Sequence, residues 1–234
     1  MKILAFDTVA GASSVAVLSD GELLGSDRRD MTRGHSEVLV PMIKELVSAL
    51  SLGFQDLDLI AITVGPGSFT GVRIGLATAR SLSIVTKVPM VGISSFEAVA
   101  AALVEKDWNE NPVLIALETK RDDLYLQIFE DPDIQTSKPE AVASCNLITY
   151  INGLINLQKG LVIAGDGAER AAKVIKKNSA DFDLRLASSL IGPDAKYVAN
   201  VAYKRYKFGI SKVFTDPIYL RAPNVQTPNI KNPV

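Results

Sequence analysis

KILAFDTVAGASSVAVLSDGELLGSDRR, residues 2–29, combines short β-forming runs with two turn signals. The runs KILAFD at 2–7 and SSVAVLS at 13–19 are typical of strands, and the turn-like TVAGA joins them. Asp20-Gly21 is a hairpin signal that leads into a third run at 22–29. The opening of the chain therefore predicts three antiparallel strands.

Helical and strand patterns then alternate as far as residue 105. Apolar residues recur at helical spacing between residues 34 and 50, which predicts an amphipathic helix. These apolar residues are Val38, Leu39, Met42, Ile43, Leu46, Val47 and Leu50. After this helix come a strand at 57–64, a glycine-rich turn, a helix near 69–86, a strand at 88–93 and a helix near 95–105. The predicted order is βββαβαβα.

The second half repeats this order without a visible repeat of letters. Its predicted elements are strands at 113–119, 124–130, 139–144, 161–165 and 184–187, and helices at 146–157, 167–177 and 194–207. Hairpins that lead into strand–helix alternation predict two lobes, each a mixed sheet covered by helices. The expected fold class is α/β, with lobes at 1–105 and 106–234, a linker at Glu105–Pro112 and a cleft between the lobes.

Composition argues against several classes of function. The chain has 234 residues, of which 47% are hydrophobic and 22% charged, as in an ordinary soluble protein. No run approaches the ~18 apolar residues of a membrane span, so we expect a cytoplasmic protein. Cys145 and His35 are the single residues of their types, which argues against a zinc cluster. A net charge of −1 predicts weak RNA binding by the chain alone.

Asp7 is the first candidate site residue, because it ends the first predicted strand and precedes the turn Thr8–Ala12. A carboxylate in this place can hold a hydrated Mg²⁺ beside a phosphate, since that ion takes few protein carboxylates and keeps several waters. The alternative is a carboxylate that accepts hydrogen bonds from the N–H groups of the turn. Taken alone, the residue favours that alternative.

Two glycine-rich turns, GPGSFTGVR at 65–73 and AGDG at 164–167, separate predicted strands from helices. Such turns can offer backbone N–H groups and the positive end of a helix to an anion. The candidate phosphate-binding residues are Gly65, Gly67, Ser68, Gly71, Arg73, Gly165 and Gly167. The first turn matches neither a Walker pattern nor a clean G-x-G-x-x-G, so an ordinary turn and helix cap stays the alternative.

A stripe of small residues runs along the helix after the first glycine turn. Its members, four residues apart on one face, are Gly71, Gly75, Ala79 and Ser83. Small residues let another helix approach closely, either the helix at 34–50 of the same chain or a partner. The predicted partner interface is His35, Leu39, Met42, Ile43, Gly71, Gly75, Ala79 and Ser83.

Two further features carry weaker signals. Histidine serves in acid–base catalysis, but His35 has no visible partner residue, so a capping or packing role is more usual. A basic run near the end of the chain is most simply a solvated helix face, with RNA contact as the alternative. This run is Lys196, Lys204, Arg205, Lys207 and Lys212.

Five segments of the chain resemble the TsaB family, also called YeaZ. They are ILAFDTVAGASSVAVL at 3–18, RGHSEVLVPMI at 33–43, VGPGSFTGVRIGLATARSL at 64–82, PMVGISSFEAVA at 89–100 and DPIYLRAP at 216–223. They span nearly the whole chain in family order, and the third is the most specific. The resemblance implies the two-lobed fold of the actin, Hsp70 and sugar-kinase superfamily, which is ribonuclease H-like and consistent with the duplicated βββαβαβα order.

The resemblance also implies a catalytic paralogue, TsaD, which transfers threonylcarbamoyl to adenosine 37 of tRNAs that read codons beginning with A. That paralogue holds its metal through two histidines, and Ser95 and Val99 stand at those positions here. Neither side chain can replace imidazole as a firm metal ligand. The family therefore implies an accessory subunit with no catalytic residues and no metal of its own.

The implied partners are a TsaD-like catalytic subunit, a TsaE-like ATPase and a second copy of this chain, with tRNA reached only through the complex. In the family, the helices that correspond to 34–50 and 70–85 bind the partner. The chain requires no cofactor, although the complex can use ATP or ADP with magnesium. The alternative function is a small-molecule kinase or ATPase that uses Asp7 with Mg²⁺, but Asp166 and Asp194 have no supporting context as its base.

Overall fold

Three antiparallel strands begin the chain, as its opening sequence predicts. In the computed structural model they are β1 (Lys2–Asp7), β2 (Ala12–Ser19) and β3 (Glu22–Asp30). The hairpin between β2 and β3 turns at Asp20 and Gly21, which both adopt positive φ angles. The structure describes residues 1–108, 111–119, 121–131, 134–154, 160–178, 183–189, 192–209 and 215–221.

Two parallel strands complete the first sheet. β4 (Leu59–Thr63) pairs with β1, and β5 (Met90–Ile93) pairs with β4, which gives the order β3-β2-β1-β4-β5. Because β1, β4 and β5 run in the same direction, their carboxyl ends meet at one edge of the sheet. Asp7 and Thr63 therefore lie together at that edge.

Helices of the first half follow the predicted order. They are α1 (His35–Ala49), α2 (Phe69–Thr86), α3 (Ser95–Ala100) and α4 (Glu105–Trp108), with a short 3-10 turn at Phe54–Asp56. Apolar side chains of α1 and α2 pack together with those of β1, β2 and β4 in one core. Ser68 starts α2 as its N-cap, because its hydroxyl oxygen accepts a hydrogen bond from Gly71 N at 3.2 Å.

The second half has its own sheet, of order β11-β10-β6-β7-β8, with β9 also paired to β7. Its strands are β6 (Val113–Glu118), β7 (Asp123–Asp131), β8 (Ile134–Gln135), β9 (Glu140–Ala143), β10 (Leu161–Ala164) and β11 (Leu184–Leu186). Its helices are α5 (Leu147–Asn152), α6 (Ala168–Asn178) and α7 (Ala195–Lys207), preceded by a 3-10 turn at Ser144–Asn146. None of the helices that the structure describes is long and apolar enough to cross a membrane.

The duplicated βββαβαβα order is confirmed, with two local differences. Along β7, the place of a third strand is shared by β8 and β9, which pair with different stretches of that strand. The predicted linker Glu105–Pro112 contains α4, whose Asp107 is buried and accepts a hydrogen bond from Ser188 N at 3.0 Å. Residues 109 and 110 of that linker lie outside the described residues. The segment up to Trp108 thus contains a short helix that Asp107 anchors, while Glu105 and Lys106 are exposed.

The closing helix of each half packs against the sheet of the other half. α3 contributes Phe96 and Val99 to a core formed mainly by β6, β7 and β10. α7 contributes Val198 and Ala202 to a core with β1, β2 and β4. The division of the sequence at 1–105 and 106–234 stays a prediction, and the two halves are tied together by these exchanged helices.

A short segment near the C-terminus also joins the halves. Ile218 N donates a hydrogen bond to Val64 O at 2.8 Å, and the Ile218 side chain packs against the first core. Leu220 packs against the core that α3 shares with the second sheet. Arg221 forms an ion pair with Asp123 at the start of β7. Residues 215–221 therefore fasten the glycine turn after β4 to the second half.

Candidate functional site

Asp7 lies at the carboxyl end of β1 and is completely buried. Its Oδ1 accepts only a long hydrogen bond, from Val9 N at 3.4 Å. Its Oδ2 and the nearby hydroxyl of Thr63 are buried without a well-formed hydrogen bond to any described residue. An unpartnered buried carboxylate oxygen is costly, so its protonation state depends on the surrounding charges.

Burial is the main influence on Asp7 and raises its pKa from the ordinary value of 3.8 to about 7. The Thr63 hydroxyl, Val9 N–H and the charge of Arg28 lower this pKa, and the charge of Asp194 raises it. Near neutral pH the carboxyl group is thus divided between its protonated and charged forms.

Arg28 of β3 lies close to the carboxylates of the cleft. Its Nη1 donates to Pro193 O at 3.2 Å and lies 3.5 Å from Asp194 Oδ2. Asp194 in turn caps α7, because its Oδ1 accepts from Lys196 N at 3.1 Å. Asp194 is therefore engaged in holding α7 and Arg28, and it is poorly placed to serve as a free catalytic base.

Asp166 approaches the same cleft from the second half. Its Oδ1 accepts a hydrogen bond from Glu118 N at 3.0 Å, although the residue remains exposed. Neighbouring groups exclude water from the carboxylate of Asp166 and so raise its pKa, and the negative charge of Glu118 raises it further. A Cβ on Gly192 would lie 3.3 Å from Asp166 Oδ2 and 3.2 Å from Ala10 Cβ. The two halves thus come into close contact on this side of the cleft.

The first glycine turn closes over the end of β1. Ser68 N donates to Val9 O at 2.8 Å, and Thr8 Oγ1 donates to Gly71 O at 2.7 Å. A Cβ on Gly71 would overlap Thr8 O, and one on Gly67 would lie 2.5 Å from Val9 O. These glycines are required for close backbone packing within the chain.

Other predicted phosphate-binding residues of this turn are also engaged within the chain. Gly65 adopts φ 99°, and a Cβ there would lie 2.9 Å from Ile218 O. Arg73 is exposed, and its guanidinium stacks 3.7 Å from the centre of the Phe69 ring. As arranged here, the carbonyl oxygens of Thr8, Val9 and Ile218 pack against the glycines of the turn. Nucleotide binding stays a prediction from sequence.

The second glycine turn has the same construction. Gly165 adopts φ 96°, a Cβ there would overlap Ala116 O, and Gly167 N donates to that oxygen at 3.0 Å. A Cβ on Gly167 would lie 2.7 Å from Leu124 Cδ2. The two turns therefore play matching roles, since each brings a helix against the first strand of its own half.

Most residues of the predicted partner interface lie inside the fold, and their role in binding a partner stays a prediction. Its buried members are Leu39, Met42, Ile43, Gly71, Gly75 and Ala79. A Cβ on Gly75 would lie 2.7 Å from Ile62 Cδ1 and 3.0 Å from Thr8 Oγ1, so the small stripe faces β4. Ser83 Oγ donates to Val88 O at 2.7 Å, and half-buried His35 begins α1. These side chains pack α1 and α2 onto the sheet.

The outward faces of the same two helices carry apolar residues that the periodicity did not single out. Val40 of α1 is 55% exposed, and Ile84 and Val85 of α2 are 69% and 81% exposed. The sequence could have indicated these residues, because they are apolar and stand at helix positions outside the inward stripes. Ile84 and Val85 are neighbours in the chain, and adjoining exposed apolar residues mark contact surfaces more often than buried stripes do.

Ser95 and Val99, which the family resemblance aligns with metal-binding histidines of the paralogue, lie in the interior. Ser95 Oγ donates to Pro66 O at 2.7 Å, and its N–H donates to Gly65 O at 2.8 Å. Val99 is 1% exposed and packs against the second sheet. Within the described residues, no group of three or more His, Cys, Asp and Glu side chains is arranged to hold a metal ion.

The basic run on α7 is only partly a solvated face. Arg205 is turned inward, where it forms an ion pair with Glu97 and donates to Gly92 O at 3.0 Å. Lys204 and Lys207 are exposed, and Lys196 lies over the ring of Tyr197. Lys212 lies outside the described residues.

Together, the paired mixed sheets, the exchanged helices and the two glycine turns define a two-lobed α/β protein of the actin and sugar-kinase class. YeaZ from Pseudomonas aeruginosa has the same fold, with a TM-score of 0.76 and 22% identity over 94% of this chain and 99% of that one. The activator of 2-hydroxyisocaproyl-CoA dehydratase from Clostridium difficile, solved with ADPNP, is a more distant likeness, with a TM-score of 0.50 and 11% identity over 95% and 100% of the chains.

Sequence comparison identifies the family within this class. The TsaB protein of tRNA threonylcarbamoyladenosine biosynthesis from Haemophilus influenzae is 31% identical over 231 residues, 94% of each chain. The family model of TsaD, tRNA N6-adenosine threonylcarbamoyltransferase, matches residues 29–207. The chain belongs to the TsaB, or YeaZ, family, which associates it with the biosynthesis of threonylcarbamoyladenosine in tRNA.

Proposed function

We propose that this chain is a non-catalytic accessory subunit, required for threonylcarbamoyl transfer to adenosine 37 of tRNAs that read codons beginning with A. It acts by binding a TsaD-like catalytic paralogue. The observation that carries this proposal is the engagement of Ser95 and Val99 in packing, at the positions where the paralogue has its metal-binding histidines. Making a metal site there would require new ligands in a closed core.

The packing of the first glycine turn and the contacts of Asp194 support the same proposal. The first glycine turn already accommodates Thr8 and Val9, and Asp194 is engaged with α7 and Arg28. A kinase needs a carboxylate that is free to accept a proton from its substrate, together with a loop that is open to phosphates. In our proposal the chain needs no cofactor of its own, and ATP or ADP with magnesium belongs to the assembled complex.

The outward faces of α1 and α2 are the proposed contact with the catalytic subunit. Val40, Ile84 and Val85 are exposed apolar side chains on long helices whose inner faces are fixed in the core. A rigid apolar surface of this kind loses little entropy when a partner covers it. A second copy of the chain would use the same surface, so the homodimer and the heterodimer compete.

The wider complex is expected to contain a TsaE-like ATPase, and tRNA is bound by the complex in the cytoplasm. The direct test is threonylcarbamoyl transfer to tRNA by purified TsaD-like and TsaE-like subunits, with and without this chain. We expect transfer only when the chain is present, and none from the chain alone. Equal transfer with and without the chain would remove the proposed role.

A kinase or ATPase remains the second candidate, favoured only by the unpartnered Oδ2 of Asp7. It is tested by ATP hydrolysis with the isolated chain and its Asp7→Asn variant. We expect no turnover from either protein, together with full support of transfer by the variant. Turnover that the substitution abolishes would establish the kinase or ATPase instead.

A further inference from the structure

We propose that Arg73 and Arg80 of α2 select the catalytic subunit over a second copy of this chain, by pairing with carboxylates on the surface that covers α2. Together with Ala77 and Ile84 they form one exposed stripe, the arginine face. The inference rests on the proposed function, because it names the chemistry that the catalytic subunit presents to α2. It adds to the apolar contact a charge requirement that a second copy does not meet.

Helical spacing places the arginine face on one side of α2. Its four positions differ by four, three and four residues, and such positions lie above one another along a helix. All four are exposed, whereas Gly75 and Ala79 of the same helix are buried. From Ile84 the face extends about three turns toward the start of α2. The proposed partner contact therefore continues along most of the helix.

The charge of α2 is positive and is not neutralised by ion pairs within the chain. Residues 69–86 contain Arg73 and Arg80 but no Asp, Glu or Lys. In the part of the chain that the structure describes, neither arginine forms an ion pair, although most of the other arginines do. The paired arginines are Arg28, Arg29, Arg170, Arg185, Arg205 and Arg221. Arg73 and Arg80 thus have the charge for a partner's carboxylates.

Each of the two arginines is held by a contact that leaves its charge uncompensated. The Arg73 guanidinium lies over the Phe69 ring, 3.7 Å from its centre. Arg80 Nη2 donates to Thr215 O at 3.2 Å. Asp216 follows Thr215 and is among the described residues, yet it forms no ion pair with Arg80. A side chain that is already ordered loses little entropy on binding, and a guanidinium binds a carboxylate through two parallel hydrogen bonds.

A second copy of the chain meets this face with the same charge. A two-fold dimer uses the same patch on both protomers. An antiparallel pairing of α2 with its copy across Ala77 places Arg73 of one protomer beside Arg80 of the other. Like charges that face each other in an interface cost free energy. The arginine face therefore opposes the homodimer and favours a partner whose covering surface carries carboxylates.

Arginine also binds nucleic acid, but the rest of the surface favours protein. Ile84 and Val85 are 69% and 81% exposed, and interfaces between proteins combine arginine with apolar side chains of this kind. RNA bases stack on free aromatic rings. The Phe69 ring is already engaged by Arg73 and by the ring of Tyr219, whose centre lies 5.1 Å away.

The test measures the dissociation constants of the heterodimer with the TsaD-like subunit and of the homodimer, by sedimentation at several salt concentrations. Arg73→Gln with Arg80→Gln removes both charges, and Arg73→Lys with Arg80→Lys keeps them. The matched control is Lys176→Gln with Lys177→Gln, which removes two exposed cations in the last turn of α6. Circular dichroism and thermal melting verify folding, and filter binding measures the affinity of each complex for tRNA.

We expect the glutamine variant to raise the Kd of the heterodimer about tenfold, since each exposed ion pair contributes a factor of roughly three. The wild-type heterodimer should weaken as salt rises, and the variant heterodimer should weaken less, because salt screens the attraction between charges. The variant should bind its own copy at least as tightly as the wild type does. The lysine variant should retain most of the heterodimer affinity, and the α6 control should leave both constants unchanged.

Three results would contradict these expectations. An unchanged heterodimer Kd, or an equal weakening of heterodimer and homodimer, would overturn the inference, because the arginines would then not distinguish the two partners. Normal heterodimer affinity with a loss of tRNA affinity would overturn it as well, because the arginines would then contact RNA. A wild-type chain that does not bind the TsaD-like subunit would overturn the proposed function instead.

Discussion

α2 and α6 occupy equivalent places in the two halves, yet their last turns face solvent with different chemistry. Each helix starts at a glycine turn that packs against the backbone at or just beyond the first strand of its half. α2 ends with Ile84 and Val85, which are 69% and 81% exposed, whereas α6 ends with exposed Lys176 and Lys177. The glycine turns that begin both helices are needed for folding. The two helices differ at exposed positions of their last turns, where packing of the core does not determine the residue type.

This difference separates the residues that make the fold from those that serve an interaction. The inward stripe of α2 must be small, since Gly75 lies against Ile62 and Thr8. Nothing in the core requires Ile84 or Val85 to be apolar, and exposed apolar side chains at such positions favour contact with a partner. The second half, with lysines at the corresponding place, has no similar surface on its helix.

The largest expected effect tests the shared construction of the two glycine turns. Gly71→Ala and Gly165→Ala each place a Cβ into a carbonyl oxygen, of Thr8 and Ala116 respectively. We expect each to lower the free energy of unfolding by about 4 kcal/mol, measured by urea denaturation. Gly11→Ala is the control, because no atom lies within 4 Å of its added Cβ. If the turns were open ligand loops, all three variants would have similar stability.

The next comparison concerns the carboxyl groups that end the first strands of the two sheets. Asp7 is buried with an unpartnered oxygen, whereas Glu118 is partly exposed and pairs with Arg170 at 3.1 Å. The pKa of Asp7 in the folded protein, about 7, lies above its ordinary value of 3.8. The folded state therefore binds more protons than the unfolded state between these values, and this group makes the protein less stable as pH rises through that window.

Asp7→Asn removes this dependence, because the amide does not ionise. Relative to the wild type, the variant should gain stability as pH rises from 4 to 8. The gain is up to roughly 4 kcal/mol, since each pKa unit corresponds to about 1.4 kcal/mol. Thermal melting of the variant and of the wild type across this range measures it. A constant difference between Asp7→Asn and wild type at all pH values would contradict the raised pKa.

A smaller loss of stability distinguishes the two sides of α2. Gly75→Leu forces a side chain against Ile62, where even a Cβ is too close, and should destabilise the folded chain by about 3 kcal/mol. Ala77→Leu lies on the exposed side of the same helix and should change stability by less than about 0.5 kcal/mol. Urea denaturation of the two variants measures both values. A folded Gly75→Leu monomer of normal stability would restore the stripe as a candidate partner surface.

The order of elements followed from the sequence because local patterns determine it. The alternating runs at the start gave β1 to β3, and the predicted helix at 167–177 agrees with α6 to within one residue. The sheets that the closing helices α3 and α7 cover did not follow from the sequence. Periodicity shows that α3 and α7 each have an apolar face, but it does not show which sheet that face covers.

The candidate site was harder to predict because its properties depend on distant residues. Asp7 was identified as a strand-end carboxylate, but its raised pKa follows from burial and from the approach of Arg28 and Asp194. The glycine turns were likewise recognised, whereas the carbonyl oxygens of Thr8 and Ala116 that occupy them lie more than forty residues away. A stripe of small residues indicates close approach without showing whether the neighbour is a sheet or a partner.

A small expected change in stability accompanies the most informative change in assembly. Ile84→Glu with Val85→Glu, and Lys176→Glu with Lys177→Glu, alter equivalent exposed ends of α2 and α6. Each double variant should keep the free energy of unfolding within about 1 kcal/mol of the wild type, because surface substitutions seldom change it by more than ~0.5 kcal/mol each. Only the first pair removes the proposed contact surface.

Light scattering of each double variant mixed with the TsaD-like subunit tests the central claim most directly. The accessory role through the outward face of α2 predicts that the Ile84→Glu, Val85→Glu chain stays folded but fails to form the heterodimer. It also predicts that the Lys176→Glu, Lys177→Glu chain forms the heterodimer normally. A heterodimer of normal mass with the first variant, or its loss with the second, would contradict this account.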